Sequence, residues 1–229
     1  MVNARPVKPV PGHKTDIGDA QWLATLARAG LLRGSFVPPA KLRELRLIAR
    51  QRQKLVGLLS SEKNRLHKVL TDAGVRLGVV VSDLHGQSAR AMIKGILKGQ
   101  APHEVLALAS RRLKAGREEL HDALQGDLTA SHVFVLDELL RHIEELEARI
   151  ARFDARLLDE LASEHNALAL LQTVPGVDTI GAAMLLVEIG SDMSVFGRPD
   201  RLASWVGICP GNNESAGKRK SGRVRKGNP

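Results

Sequence analysis

Tyrosine is absent from this 229-residue chain, and only four Phe and two Trp supply aromatic rings. The absence of tyrosine excludes recombinases and nicking enzymes that attack DNA with a tyrosine hydroxyl. The scarcity of aromatic rings argues against domains that stack bases on aromatic side chains, such as OB folds and RNA-recognition sheets. Composition thus excludes attack on DNA by a tyrosine and disfavours binding through base stacking.

Cysteine is nearly absent as well, since Cys209 is the only one. No internal disulfide can form, and a structural zinc site built on cysteines is not expected. The longest apolar run, around 182–187, is far shorter than the roughly 20 residues that span a bilayer. The first residues also lack the hydrophobic region of a signal peptide. The sequence therefore predicts a cytoplasmic protein without a membrane partner.

Positive charge is in excess and is concentrated near the C-terminal end. The chain carries 34 Lys and Arg against 25 Asp and Glu, which gives a net charge of +9. No acid follows Glu214, whereas the same segment holds six cations: Lys218, Arg219, Lys220, Arg223, Arg225 and Lys226. Such an excess also serves solubility, but its clustering favours a polyanionic partner, nucleic acid above all.

Ser215 lies just before this basic run and is a candidate nucleophile. Serine is a poor nucleophile unless a base or surrounding charge activates it. Neighbouring cations could activate it and stabilise the charge that develops during phosphodiester chemistry. The segment 214–217 is equally typical of a solvated turn, and Ser221 is a local competitor. Spacing alone does not choose between the two serines.

Apolar spacing predicts a mostly α-helical chain. The predicted helices are one capped by Thr15 or Asp16 and running to about Arg28, a long one over about 40–73, and several short ones over 74–130, broken near Gly86, 99–102 and Gly126. From 133 to 161, apolar residues three and four apart predict a coiled-coil or helical-hairpin seam. That seam suits self-association into a homo-oligomer, and equally a helix packed inside its own bundle.

The segment 170–190 has the pattern of a helix-hairpin-helix motif. One short helix runs into Pro175-Gly176-Val177, and a second helix ends at Gly190. Gly176 allows the turn, and the amides at the start of the second helix could bind a phosphate without reading base sequence. An ordinary helical hairpin explains the same pattern.

Asp16 and Asp19 form a second candidate site at the start of the first helix. Residues three apart share one face of a helical turn, and Mg²⁺ takes one or two carboxylates together with phosphate oxygens. Acids are also favoured at a helix N-terminus by capping and by the helix dipole. The pair is therefore compatible with metal binding and with simple helix stabilisation.

Several motifs in fixed order resemble one known family. They are 14–20 (KTDIGDA), 30–39 (GLLRGSFVPP), 174–177 (VPGV), 188–193 (EIGSDM), 202–211 (LASWVGICPG) and 214–222 (ESAGKRKSG). This series closely resembles the DEDD-type transposases of bacterial insertion sequences, the IS110 family, also called bridge recombinases. The resemblance covers nearly the whole chain.

The resemblance implies a domain order and a site. Residues 1–70 would be the C-terminal remnant of a RuvC-like α/β domain, 71–165 a helical or coiled-coil region, and 166–229 a C-terminal transposase domain with the hairpin. Asp16 and Asp19 would be the last two acids of a DEDD metal tetrad that binds Mg²⁺, and Ser215 the nucleophile. The family also implies DNA and a structured guide RNA as partners, and assembly into multimers.

The basic helix and tail are the natural contacts to such nucleic acids. Arg43, Arg46 and Arg50 lie in a stretch of 40–54 with a single acid, Glu44, and they are predicted to contact RNA or DNA together with the cations that follow Ser215. Gly176 is predicted to do so through its hairpin.

Two departures from the family weaken the expected activity. The chain lacks the opening strands that carry the first Asp and the Glu of the tetrad, and it stops within the last motif. We therefore expect weak Mg²⁺ binding, an exposed apolar face and impaired catalysis in a truncated or split copy. The alternative is a non-catalytic remnant that binds nucleic acid and self-associates; a general repair accessory protein would leave 14–20 and 214–222 unexplained.

Overall fold

The computed structural model describes residues 15–32, 38–110, 113–208, 214–215 and 218–219. These residues are mostly helical, as predicted. The helices are α1 (Asp16–Arg28), α2 (Ala40–Asp72), α3 (Leu77–Val80), α4 (Gln87–Leu97), α5 (Pro102–Ala107), α6 (Arg117–Leu124), α7 (Ala130–Glu160), α8 (His165–Gln172), α9 (Thr179–Ile189) and α10 (Pro199–Val206). Strands β1 (Glu214–Ser215) and β2 (Lys218–Arg219) form a two-residue pair. None of the described helices is both long and apolar enough to cross a membrane.

Side-chain caps start two of the long described helices, and the first of them, Thr15, is one of the two caps that the sequence offers for α1. The Thr15 hydroxyl accepts a hydrogen bond from the Gly18 amide at 3.1 Å and begins α1. At the start of α7, the Thr129 hydroxyl accepts from the His132 amide at 3.2 Å. Each cap satisfies an amide that has no partner inside its helix. Gly86 and Pro102, which were predicted to break the chain, lie at the starts of α4 and α5.

The α2–α7 pair is the central feature of the fold. Ion pairs cross between the two helices in reversed chain order, which makes them antiparallel: Arg52 with Asp154, Lys63 with Glu147 at 3.0 Å, and Asp72 with His132 at 3.2 Å. The apolar seam predicted over 133–161 is buried at Leu136, Leu139, Ile143, Leu146, Ile150 and Leu157. Helices α2 and α4 pack against α7 within one chain. Self-association through this seam stays a prediction.

The larger apolar core lies where α2 and α7 meet the short helices. Leu66, Met92, Val105, Leu136 and Ile143 are each at most 1% exposed. Full burial of one such side chain stabilises a fold by about 1.5–3 kcal/mol. The helices α3 to α6, between α2 and α7 in sequence, therefore pack as part of the bundle.

A second core joins the first half of α2 to the end of α7 and to α9. Leu45 and Ala49 of α2 pack with Leu157 of α7 and with Ala183 and Val187 of α9, and each is at most 3% exposed. The two alanines carry no bulk beyond Cβ, so the helices can approach closely. Helix α9, which leads toward the serine segment, is thereby seated on the helix that follows the acidic α1.

Glu147 of α7 forms ion pairs with side chains of two other helices, α2 and α4. The Arg90 guanidinium of α4 donates to both carboxylate oxygens, at 2.7 and 2.6 Å, and the Lys63 ammonium of α2 lies 3.0 Å away. Hydrogen bonding from Arg90, with help from Lys63, lowers the pKa of Glu147 to about 2 despite the opposing effect of burial. The same pairing raises the pKa of Arg90.

Acid is expected to weaken the fold through Glu147. Its carboxyl is harder to protonate when folded, so its stabilisation is complete above about pH 4.5 and is lost as the pH falls toward 2. Because the side chain is 33% exposed, solvent screening reduces this contribution to about 2 kcal/mol. Glu147→Gln should lower the free energy of unfolding at neutral pH and flatten the acid dependence in urea titrations.

Glu145→Gln is the matched control for Glu147→Gln. Glu145 is exposed on the same helix, so its substitution should change neither the stability nor the acid dependence. Equal acid profiles for the wild type and Glu147→Gln would contradict the assigned role.

Candidate functional site

Ser215 lies in β1, which pairs antiparallel with β2. The register aligns Ser215 with Lys218 and Glu214 with Arg219. The residue that this register places opposite Ser215 is therefore a lysine. The other predicted tail contacts, Lys220, Arg223, Arg225 and Lys226, lie outside the described residues, as does the competitor Ser221.

Asp16 and Asp19 occupy the first turn of α1, as predicted. Asp16 is exposed and Asp19 is half-buried, and none of the residues of α1 is buried. Among the described residues, no group of three or more His, Cys, Asp or Glu side chains is arranged to hold a metal ion. The two carboxylates can supply part of a cation's coordination sphere, and their role in metal binding stays a prediction.

Helices α8 and α9 form the hairpin predicted around Gly176. The turn uses a left-handed backbone at Gly176, with φ of 86°, which glycine adopts without the steric cost of a side chain. The Asp178 carboxylate caps α9 and accepts a hydrogen bond from the Gly181 amide at 2.6 Å. One amide that was predicted to bind phosphate is therefore already held by an anion, and the helix-hairpin-helix role stays a prediction.

If nucleic acid binds at this hairpin, as the sequence predicts, removal of the Asp178 charge should strengthen that binding. A carboxylate at the helix start repels a phosphate that would approach the same amides. Asp178→Asn keeps a capping oxygen and removes the charge, and it should raise the affinity for a short DNA duplex about threefold to tenfold in fluorescence anisotropy. Asp200→Asn, at the start of α10, is the control with the same charge change. If the two variants bind the duplex with equal affinity, the hairpin does not contact DNA.

Arg46 and Arg50 contact α9 rather than open solvent. Arg46 donates to the main-chain carbonyls of Val187 (3.2 Å) and Glu188, and it also lies 3.3 Å from the Glu188 carboxylate. Arg50 donates to that carboxylate at 3.2 and 3.4 Å. The Arg46 side chain is only 15% exposed, against 43% for Arg50. Their contact with nucleic acid stays a prediction. In the fold, the Arg46 guanidinium is already engaged by α9.

An exposed basic row follows the outer face of α2. Arg43, Arg50, Lys54 and Lys68 recur at intervals of seven, four and fourteen residues, which brings them to one side of the helix. The row is about 38 Å long at 1.5 Å per residue. Of its members, Arg43, Lys54 and Lys68 have no ion pair with any other described residue. Lys54 lies within the basic stretch that was predicted to contact nucleic acid, whereas Lys68 was not predicted, although its helical spacing could have revealed it.

Comparison with known proteins gives two family matches on this chain. Residues 168–229 match the model described as "Transposase IS116/IS110/IS902 family", and residues 1–74 match a transposase model of the DEDD type of the IS110 group. A protein of Pseudomonas aeruginosa named a probable family 20 transposase is 24% identical over 225 residues, which cover 96% of this chain and 56% of that relative. No solved structure matches the chain. The matched segments contain Ser215 and the Asp16–Asp19 pair respectively.

Proposed function

The chain belongs to the IS116/IS110/IS902 family of transposases, and from this membership we propose that it cleaves and exchanges DNA strands with Ser215 as the nucleophile. The observation that supports this most directly is the β1–β2 register, which aligns Ser215 with Lys218 inside the segment that matches the family. Membership alone favours a transposase; the serine chemistry is our proposal.

The proposed step exchanges one phosphodiester bond for another. The Ser215 hydroxyl oxygen forms a bond to phosphorus, and the bond from phosphorus to one bridging sugar oxygen breaks. The serine gives up its proton to solvent or a neighbouring base, and the departing sugar oxygen takes one up. Lys218 and the cations that follow would stabilise the negative charge that grows on the phosphate oxygens.

We propose Asp16 and Asp19 as carboxylate ligands of a divalent cation, with Mg²⁺ the best fit. Mg²⁺ is commonly held by one or two carboxylates together with water and phosphate oxygens, so two acids one turn apart fit part of such a site. Bound there, the cation would neutralise charge on a phosphate oxygen. Two carboxylates alone hold Mg²⁺ weakly, so activity should require a high Mg²⁺ concentration.

DNA is the proposed partner, with a guide RNA from the element as a second one. The basic row of α2 and the cations after Ser215 would contact phosphates, which position a duplex without reading its sequence. The Gly176 hairpin would add a contact of the same kind. We also propose that copies of the chain assemble, as the family resemblance implies, and that the activity is cytoplasmic.

A covalent adduct between the chain and DNA tests the proposal. The chain is mixed with labelled duplexes that carry the ends of its element, the flanking RNA and Mg²⁺, and the products are separated under denaturing conditions. We expect a slow-migrating protein–DNA species that is lost in Ser215→Ala. Ser221→Ala is the matched control and should retain it.

The alternative is a protein that binds nucleic acid without cutting it. The two carboxylates with no third ligand among the described residues favour this reading. Tight binding with no adduct at any Mg²⁺ concentration would establish it and overturn the serine mechanism.

A further inference from the structure

The C-terminal end of α9 rests on one row of α2 side chains. Leu42, Arg46 and Arg50 are four residues apart and so lie one above the other on α2. Leu42 packs against Gly190, so closely that a Cβ built at Gly190 would lie 3.2 Å from its Cδ1. Arg46 and Arg50 contact the last turn of α9 just before this glycine. The point at which the chain leaves α9 is therefore fixed on α2.

Arg46 is the member of this row that does most to fix the exit. The last four carbonyls of a helix have no amide partner within it, and the guanidinium of Arg46 donates to two main-chain carbonyls near that end, those of Val187 and Glu188. Its positive charge is also favourable at the negative end of the helix dipole. Arg50 adds only a more exposed carboxylate contact, which is of the kind that contributes little, about 0–1 kcal/mol.

The chain beyond this exit leads toward the proposed nucleophile. Gly190 turns the backbone with φ of 76°, the Asp192 carboxylate caps a short 3₁₀ turn by accepting from the Ser194 amide at 2.9 Å, and α10 follows. The rings of Phe196 and Trp205 are in edge contact, with centroids 5.7 Å apart, and hold that turn to α10. The orientation of this segment relative to the bundle is thus set first at the α9 exit.

We propose that Arg46 is a positioning residue, which clamps the end of α9 to α2 and so sets the direction in which the chain runs toward Ser215. The proposal rests on the proposed serine chemistry for its functional meaning, although its structural part stands alone. It gives Arg46 a different task from the phosphate contact that the sequence suggests. Loss of the clamp should loosen α10 and the serine segment and leave the α2–α7 pair in place.

A distance measurement tests the clamp without DNA. In a Cys209→Ser background, Gln53→Cys on α2 and Ser204→Cys on α10 place spin labels at two exposed positions. Double electron–electron resonance should give a narrow distance distribution, and Arg46→Ala should at least double its width. Arg43→Ala removes the same charge from an exposed position of the same helix and should leave the width unchanged. An unchanged distribution in Arg46→Ala overturns the proposal.

Two further variants separate the carbonyl contacts from the ion pair. Glu188→Gln keeps both carbonyls and removes the carboxylate charge, so the distribution should stay narrow; broadening equal to that of Arg46→Ala would overturn the carbonyl clamp. Arg46→Lys retains one donor group and should restore part of the order. Circular dichroism at the measuring temperature verifies that each variant is folded.

The functional consequence is read separately as a rate. Arg46→Ala should slow adduct formation about tenfold or more while the DNA dissociation constant changes less than twofold. An equal loss of affinity would show a phosphate contact and overturn the positioning role. If the wild type forms no adduct, the proposed serine chemistry is wrong. The spin-label distances still test whether Arg46 clamps α9 to α2, because they do not depend on that chemistry.

Discussion

Gly126→Ala is expected to destabilise the bundle by about 3 kcal/mol, the upper range for overpacking a close contact. A Cβ at this position would lie 2.5 Å from the Ala73 carbonyl oxygen and 2.7 Å from Val75 Cγ2. The first of these neighbours is main chain, so relief requires the backbone to move. The movement would also disturb the hydrogen bonds from Asp127 to Ala73 and from Arg76 to Ala123, at 3.0 and 2.8 Å.

Thermal and urea unfolding measure this effect. A loss of about 3 kcal/mol should lower the Tm of a chain of this size by roughly 6–12 °C. Gly57→Ala is the control, because Gly57 lies within α2 with open space around it, and alanine there should stabilise by about 0.5–1 kcal/mol. A Gly126→Ala protein as stable as the wild type would show that the α2 end and the α6–α7 connection are not in close contact.

DNA affinity is expected to fall about a thousandfold between 50 and 200 mM salt. Each phosphate neutralised by Lys or Arg releases counterions, and about six such contacts give a loss of this size. The cations are available in two places, on the outer row of α2 and in the segment after Ser215. Anisotropy titrations of a short duplex at several salt concentrations measure the slope, and a flat response would contradict both nucleic-acid proposals.

A double variant assigns part of that slope to α2. Lys54→Ala with Lys68→Ala removes two cations of the row and should reduce the slope by about two, with a similar loss for any DNA sequence. Lys98→Ala with Lys114→Ala removes the same charge from exposed positions outside α2 and should reduce it much less. Equal slopes for the two double variants would show that binding senses only net charge.

The helices were predictable because their signals are local. Thr15, Gly86 and Pro102 mark helix starts by their own chemistry, and the structure has helix boundaries at all three. The apolar spacing of α7 correctly predicted most of its buried seam, although it missed Leu140 and included the half-buried Phe153. It did not identify the partner, because a seam of this kind fits α2 of the same chain as well as a second copy. Long-range pairing of this sort is not encoded in spacing.

The basic residues of α2 show what local sequence signals cannot predict. Arg43, Arg46 and Arg50 look alike in sequence, yet Arg46 reaches Glu188, 142 positions later, and Arg43 does not. Only the fold of α9 onto α2 distinguishes them. Ser215, Asp16 and Asp19 were identified as candidate site residues from the order of the family motifs. Neither a serine beside cations nor two acids at a helix start is specific by itself.

The covalent attachment site is the most direct test of the central claim. Trypsin cuts after Arg201, Lys218 and Lys220, so Ser215 falls in the peptide 202–218 and Ser221 in a different one. Adduct formed with Mg²⁺ and element-end DNA is digested with nuclease and trypsin, and the peptides are fragmented in a mass spectrometer. We predict a nucleotide phosphate on Ser215. Attachment at Ser204 or Ser221, or no modified peptide, would contradict the account.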